Sequence, residues 1–396
     1  MSLIEYVDRK NTDCAKWDGL EGSFSRGDLL AMWVADMDFR VPECVRRRLT
    51  DYIELGTFGY YFPPEGYYNA FIDWEKKYHG YEVKREWMRF APGVVPAFNW
   101  LVQLLAGNGE AVAVMQPVYY PFMRAVENNG RRLVNVPLLR TESGYEMDFS
   151  SFEDAIVRED VRLFIFCSPH NPVGRVWSKE EIRRVLDICR RHNVYVISDE
   201  IHHDITMSGI KHVPSATAGE KPGEYDHILV TLTAATKTFN LAAVQNSIVV
   251  IPDEDIRKKW DSFAEGIRIT GGNAFGYIAV QSAYEEGRPW LEELLSVIEG
   301  NYRYLRGRLE SELPEVRVAD LEGTYLMWID LSRYMNADDL KNGGMERLME
   351  DECGIAADYG AWFGGEEYAG CIRLNLATCR ENVEKAADRI INALNK

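Results

Sequence analysis

The stretch that decides the fold runs from RLFIFCSPHNPVG (162–174) through SKEEIRRVLDICRRH (178–192) to NVYVISDE (193–200). The first and last segments are short apolar runs, which are typical of buried strands. The middle segment begins with Ser178 and Glu181 at capping-box spacing and then repeats apolar residues on one helical face. This β–α–β alternation predicts a mostly parallel sheet with helices on both faces.

The alternation extends over about residues 46–285, which predicts a large α/β domain. After residue 285, a long helical stretch leads to several strand-like segments and a closing helix, so residues 286–396 predict a smaller α+β domain. Thr378 and Glu381 have capping-box spacing at the start of that closing helix. Residues 1–45 lack the alternation, and we expect them to pack with the smaller domain.

Composition narrows the class of protein. The chain has 396 residues, 46% of them hydrophobic and 12% aromatic, which is enough for a substantial core. Its formal net charge of −17 argues against a nucleic-acid partner or an anionic membrane surface, because both require basic patches. A small anionic ligand needs only a local positive site and stays possible.

The cysteines and the chain start suggest a compartment. Seven scattered cysteines without a CxxC motif fit a reducing cytosol better than a disulfide framework or a zinc site. The first residues contain acidic side chains and no apolar core of a signal peptide, and no apolar run reaches the length of a transmembrane helix. We therefore expect a cytoplasmic protein.

Polar residues stand where three apolar strands are expected to end. Asn171 follows LFIFC, Asp199 lies near the end of VYVISDE, and Lys237 lies in TAATKTFN directly after HILVTLT. Taken singly, these residues are explained by a turn, a helix cap and a solvated lysine. Together they are more specific, because ligands of parallel sheets bind at the carboxyl ends of the strands. His203 and Asp204 are adjacent and lack a third partner in the sequence, so we expect no metal site.

In this order of residues the chain resembles the fold-type-I pyridoxal 5′-phosphate (PLP) enzymes, the aspartate-aminotransferase-like superfamily. Within it, the chain is most similar to the branch of cystathionine β-lyases, or C–S lyases. The matching segments cover nearly the whole chain in order: WVADMDF (33–39), FGYYFPPEGY (58–67), PVYYPF (117–122), CSPHNPVGRVWS (167–178), SDEIHHD (198–204), TKTFNLA (236–242), EGTYLMWID (322–330) and IRLNLA (372–377). The resemblance implies a sheet of the seven-stranded type, bound PLP and a homodimer.

The resemblance assigns roles around the cofactor ring. Lys237 is the amine that attaches to PLP, and burial would favour its neutral, nucleophilic form. Asp199 keeps the pyridine nitrogen protonated. Asn171 and His202 lie on the side of the phenolic oxygen. Tyr119 stacks on the ring, although paired tyrosines also fit plain core packing.

The cofactor phosphate requires backbone N–H groups at the start of a helix. APGVVPAFNWLVQLL (91–105) predicts a strand end, a turn and a helix, so Gly93, Val94 and Val95 are the expected phosphate loop. The Thr236 hydroxyl is a further candidate. Tyr60 resembles a tyrosine that reaches the phosphate of the neighbouring subunit; the alternative is a packed loop aromatic.

The substrate side is implied by Arg373, which alternates with apolar residues on a predicted strand. The resemblance makes it the group that binds the α-carboxylate of an amino acid in a bidentate fork, with Asn171 beside it. The alternative is a surface arginine. Ala35 and Asp36 are expected near the same carboxylate. Lys237, Tyr60 and Tyr119 form the implied catalytic set.

The chain departs from many aminotransferases beside the lysine. A serine three residues before it and an arginine eight after it usually bind the phosphate, but here these positions hold Ala234 and Gln245. The lyase branch also tends to lack the arginine. The loop 265–276 differs from the branch in carrying two glycines before Asn273, so its role is open.

These residues predict a C–S β-lyase that cleaves cystathionine or another S-substituted cysteine to a thiol, pyruvate and ammonia. A class I/II aminotransferase is the alternative, because both reactions use every residue named above. A regulatory protein that uses this fold through partner binding is a third reading, although the chain lacks a basic DNA-binding segment.

Overall fold

The computed structural model describes residues 2–395. Its strands, in chain order, are β1 (Leu30–Ala31), β2 (Met88–Ala91), β3 (Ala111–Val114), β4 (Arg132–Asn135), β5 (Leu139–Arg140), β6 (Tyr145–Glu146), β7 (Val161–Cys167), β8 (Tyr195–Asp199), β9 (Leu229–Thr233), β10 (Ser247–Val250), β11 (Arg317–Val318), β12 (Leu326–Asp330), β13 (Ile355–Ala356), β14 (Asp358–Tyr359) and β15 (Cys371–Asn375). Its α-helices are α1 (Glu43–Glu54), α2 (Glu65–Trp74), α3 (Val94–Leu105), α4 (Pro121–Asn128), α5 (Phe149–Arg158), α6 (Lys179–Arg191), α7 (Ala235–Thr238), α8 (Glu254–Gly266), α9 (Ala274–Glu286), α10 (Arg288–Glu312), α11 (Ala337–Lys341), α12 (Gly344–Glu346), α13 (Ala361–Gly364) and α14 (Arg380–Leu394).

The central sheet has seven strands in the order β2-β10-β9-β8-β7-β3-β4. The strands from β9 to β4 run parallel, and β10 is antiparallel to both β9 and β2. Along β7, Phe164 and Phe166 join the core on one face, whereas Leu163 and Ile165 join the core on the other. Covering both faces explains the continuous apolar strand sequences, and the predicted α/β fold is confirmed.

Helix α6 carries the chain from β7 back to the start of β8. The predicted capping box is present: Ser178 Oγ accepts from the Glu181 N–H at 3.3 Å, and Glu181 Oε2 accepts from the Ser178 N–H at 2.8 Å. The apolar face of α6 is buried in the core. Strand β8 then pairs with β7 so that Asp199 lies opposite Cys167, and their carboxyl ends coincide.

A second sheet has four antiparallel strands in the order β11-β12-β15-β14. Helices α10 and α14 pack together and share one hydrophobic cluster with β12 and β15. Strand β1 pairs in parallel with β13, so the N-terminal segment contacts the C-terminal part of the chain. The proposed division into 46–285 and 1–45 with 286–396 stays a prediction.

The predicted capping box at the start of the last helix is wrong. Helix α14 has Cys379 at its N-cap, without a side-chain hydrogen bond. The Thr378 hydroxyl is engaged elsewhere, because Asn382 Nδ2 donates to its Oγ1 at 2.9 Å. Spacing alone did not reveal this competing amide.

None of the helices within residues 2–395 combines the length and the apolar character that a membrane crossing requires.

We expect the Ser178→Ala substitution to lower the free energy of unfolding by about 1 kcal/mol, because it removes the acceptor that caps α6. Denaturant unfolding of the two proteins measures the difference. Ser150→Ala, at an exposed position in the first turn of α5, is the matched control. Equal losses in both variants would contradict a capping role for Ser178.

Candidate active site

A cavity of about 180 Å³ opens at the carboxyl ends of β7, β8 and β9. All of the predicted site residues except Tyr60, Asp36 and Arg373 line it. The lining residues are Ala35, Pro92, Gly93, Val94, Val95, Pro96, Tyr119, Cys167, Asn171, Asp199, Ile201, His202, Thr236, Lys237, Ala242 and Ser247. Segments far apart in the sequence therefore meet at one place.

Lys237 lies on the short helix α7, directly after β9, and is partly buried. Its Nζ donates to the backbone oxygen of Ala35 at 2.6 Å. Burial lowers the lysine pKa to about 8; Arg373 adds to the effect, while the carboxylates of Asp36 and Asp199 oppose it. The neutral, nucleophilic amine is thus far more populated near neutral pH than it is in a lysine exposed to water.

Asp199 ends β8 and is buried. Its Oδ1 accepts from the Ile201 N–H at 3.1 Å. Burial raises the pKa of this carboxyl to about 7, although Lys237 and the Ile201 hydrogen bond act in the opposite direction. A buried carboxylate with a raised pKa is stabilised by a cationic partner, and a protonated ring nitrogen would be such a partner.

His202 and Tyr119 provide further polar groups on the cavity wall. His202 is buried, and its Nδ1 has no hydrogen-bond partner among the described residues. Burial, together with the positive charges of Lys237 and Arg373, holds the histidine pKa well below its ordinary value. Burial raises the pKa of Tyr119, so its side chain stays a phenol.

The start of α3 forms one end of the cavity through Gly93, Val94 and Val95. A Cβ added to Gly93 would lie 3.3 Å from the Pro96 Cδ, which is tighter than usual. Ser247 on β10 also lines the cavity; it is buried, and its Oγ has no partner within the described chain. Helix N–H groups and an unpaired hydroxyl are suitable donors for a phosphate.

Ser247 was not found by sequence reasoning. In the sequence it is an ordinary strand residue, and only the antiparallel pairing that sets it opposite Ala91 places it beside the α3 start.

Arg373 lies on β15 and is buried just behind the cavity wall. Its Nη1 donates to Asn171 Oδ1 at 2.9 Å, and its Nη2 bonds the Asp358 carboxylate. Its Nε has no partner among residues 2–395. Burial lowers its pKa to about 10, so the guanidinium stays charged at neutral pH. Asp358, the cross-strand neighbour of Arg373, was also missed by the sequence.

Ala35 and Asp36 take different positions. The Ala35 carbonyl points at the cavity and accepts from both Lys237 Nζ and the Tyr325 hydroxyl, the latter at 2.9 Å. Asp36 instead pairs with Arg9 through two hydrogen bonds of 2.7 and 2.9 Å. Tyr325 is a third residue that sequence reasoning did not single out.

Tyr60 lies outside this cavity and is fully exposed. It belongs to an aromatic patch, which we define as Tyr52, Phe58, Tyr60, Tyr61, Phe62 and Phe275. Within one chain Tyr60 lines a separate surface depression, so its predicted contact with a phosphate would have to be made in a neighbouring subunit.

Comparison with known proteins places this geometry in context. The model of the family "Aminotransferase class I and II" matches residues 28–390. Cystathionine beta-lyase PatB of Bacillus subtilis (strain 168) is 37% identical over 395 residues. The alignment covers 100% of this chain and 100% of PatB. A PLP-bound protein of Clostridium difficile 630 described as an aminotransferase is 38% identical, with a TM-score of 0.94 over 99% of each chain. The PLP-bound C-S lyase of Staphylococcus hominis is 33% identical, with a TM-score of 0.91 over 99% of this chain and 97% of that one.

We expect Lys237 to titrate with a midpoint at about pH 8 in the protein without added cofactor, because burial disfavours its ammonium form. Competitive acylation at a series of pH values, read by peptide mass spectrometry, measures this midpoint. The exposed Lys258, whose pKa the Glu254 carboxylate raises, is the internal control and should titrate far higher. Coincident titration of the two lysines would contradict the account.

Proposed function

The chain belongs to the class I and II aminotransferase family, and on that basis we propose that it is a PLP-dependent C–S β-lyase. Its substrate would be cystathionine or another S-substituted L-cysteine, and its products a thiol, pyruvate and ammonia. One observation carries the proposal: Lys237, Asp199 and Asn171 share one cavity in a chain that matches a cystathionine beta-lyase over its full length.

The residues of the cavity suit PLP. Bound PLP supplies an electron-withdrawing ring that stabilises negative charge at the Cα of an attached amino acid. Asp199 would hold a proton at the ring nitrogen, while the N–H groups at the start of α3 and the Ser247 hydroxyl would bind the phosphate. The orphaned Ser247 Oγ and His202 Nδ1 are buried polar atoms that a polar ligand would satisfy.

Lys237 would move the proton at the substrate Cα. Its Nζ is held at the cavity by the Ala35 carbonyl, which also accepts from Tyr325. Because its pKa is lowered, Lys237 can act as a base in its neutral form. The nearby charges of Asp36 and Asp199 keep the lysine pKa from falling further. Departure of the thiol from Cβ then leaves a product that water converts to pyruvate and ammonia.

Arg373 and Asn171 would orient the substrate. The Arg373 Nε is unpaired within the described residues, and Asn171 joins the arginine to the cavity through its Oδ1. An α-carboxylate accepting from this guanidinium would fix which face of Cα meets Lys237. The reduced phosphate clamp at Ala234 and Gln245 leaves phosphate binding to α3, Ser247, Thr236 and Tyr60 of a second copy, as expected for the lyase branch.

We infer that the working unit is a cytoplasmic homodimer. Within the aromatic patch, Phe58, Tyr60 and Phe62 are 61%, 108% and 89% exposed. Adjacent exposed aromatic side chains mark an interaction surface. A second copy packed here would cover the patch and would allow Tyr60 to reach the neighbouring cofactor phosphate.

A pyruvate assay tests the reaction directly. We expect the PLP-loaded protein to release pyruvate from cystathionine without any 2-oxo acid. Lys237→Ala should lower this rate roughly 10²- to 10⁴-fold, because it removes the base, whereas Lys258→Ala at an exposed position should not. If no pyruvate forms and amino transfer occurs once a 2-oxo acid is added, the protein is an aminotransferase and the lyase proposal is wrong.

A mixed-dimer experiment tests the shared site. Tyr60→Phe removes a hydrogen bond to a charged phosphate, so we expect PLP binding to weaken roughly 10- to 100-fold. At limiting PLP, co-expressed Tyr60→Phe and Lys237→Ala chains should recover part of the wild-type activity, because one site of each mixed dimer is intact. Lys237→Ala paired with Asp199→Asn is the control, since both residues come from one chain, and it should recover none. No recovery with Tyr60→Phe would show that Tyr60 does not act across subunits.

A further inference from the structure

A cluster of buried titratable side chains lies behind the candidate active site; we call Glu75, His79, His203 and Asp204 the Glu75 cluster. Helix α2 continues into a π-helical turn over Glu75–His79, which directs both side chains to the loop after β8. The side chains are between 1% and 8% exposed. The ligand atoms of Glu75, His79 and His203 lie within 4.8 Å of one another.

Two buried ligand atoms in the cluster lack a hydrogen bond. Glu75 Oε1 and His203 Nε2 lie 3.1 Å apart, yet neither makes a hydrogen bond of acceptable geometry within the described residues. Unsatisfied buried polar atoms are rare and call for an explanation. A cation between the two atoms would satisfy both.

The other nitrogen of His203 is already committed. His203 Nδ1 lies 2.7 Å from the Glu200 carbonyl oxygen, to which it donates, and 2.9 Å from Thr233 Oγ1. This contact fixes the tautomer and leaves Nε2 as the lone-pair atom that faces Glu75. Histidines that ligate metals almost always donate their second N–H to a carbonyl or carboxylate in this way.

Asp204 lies beside the three ligand candidates. Its Oδ1 accepts from His79 Nε2 and Trp74 Nε1, each at 2.8 Å, and its Oδ2 accepts from Thr238 Oγ1 at 2.8 Å. The Oδ2 atom also lies 3.4 Å from His203 Nε2. Bonds of about 2.0–2.1 Å to a tetrahedral zinc ion set neighbouring ligand atoms roughly 3.3 Å apart, close to the shorter separations seen here.

We propose that Glu75, His79 and His203 bind a divalent transition-metal ion, with the Asp204 carboxylate beside them. Two imidazoles and two carboxylates suit a borderline ion such as Zn²⁺ and balance its charge. Because these side chains are buried from solvent, the site would be structural. The ion would join the π-helical turn after α2 to the loop after β8, which also carries His202.

Zinc binding to the PLP-loaded protein tests the proposal. After treatment with a chelator and desalting, the protein is titrated with Zn²⁺ by calorimetry, and bound zinc is counted by mass spectrometry. We expect one ion per chain and a higher Tm. Co²⁺ in its place should give the visible absorption bands of a tetrahedral site, which adventitious surface ions do not.

Two conservative variants locate the site. Glu75→Gln and His79→Gln each remove one ligand, and each should lower zinc affinity by at least about 10-fold. His192→Gln is the matched control, because His192 forms a 2.8 Å pair with Glu153 at the surface, and its zinc affinity should equal that of the wild type. Less than one tightly bound ion per wild-type chain would overturn the proposal without recourse to any variant. Unchanged affinity in both ligand variants would also overturn it and would leave the cluster a hydrogen-bonded network.

Discussion

The parallel pairing of β7, β8 and β9 is the constraint on which the site depends. Cys167 lies opposite Asp199, and Asp199 lies opposite Leu232, so three consecutive strands end at one edge of the sheet. The residues that follow, Asn171 and Lys237 among them, must then converge with Asp199. A shift of one residue in this register would exchange the two faces of a strand and separate these groups.

Burial sets the electrostatics of the converged groups. It lowers the pKa values of Lys237 and Arg373 and raises that of Asp199, so each group is less stable in its charged form than it would be in water. Arg373 forms an ion pair with the Asp358 carboxylate, and Lys237 donates a hydrogen bond to the Ala35 carbonyl. The cavity thus contains charged groups that burial destabilises and buried polar atoms that lack hydrogen-bond partners within the described residues. A ligand with a cationic ring and an anionic phosphate would interact favourably with both.

Local sequence was sufficient for the elements and for the residues at strand ends. The apolar runs, the Ser178 capping box and the order Asn171, Asp199, Lys237 depend on near neighbours and on the topology of a parallel sheet. The resemblance added the roles, and the comparisons confirm the family and the fold. The roles of the individual residues stay proposals.

Long-range contacts could not be predicted in the same way. The hydroxyl of Tyr325 meets a carbonyl 290 residues away, and Asp358 reaches Arg373 only because β14 pairs with β15. The same limitation hid the Glu75 cluster, since His203 and Asp204 alone predicted no metal site and their partners stand more than 120 residues upstream. Thr378 failed as a cap because the Asn382 amide competes for its hydroxyl.

The central claim is that Lys237 holds the cofactor. Borohydride reduction of the PLP-loaded protein, followed by peptide mass spectrometry, tests it most directly because reduction makes the attachment permanent. The account predicts one pyridoxyl group per chain, on the peptide that contains Lys237. A pyridoxyl group on another lysine, or its absence from every peptide, would contradict the account.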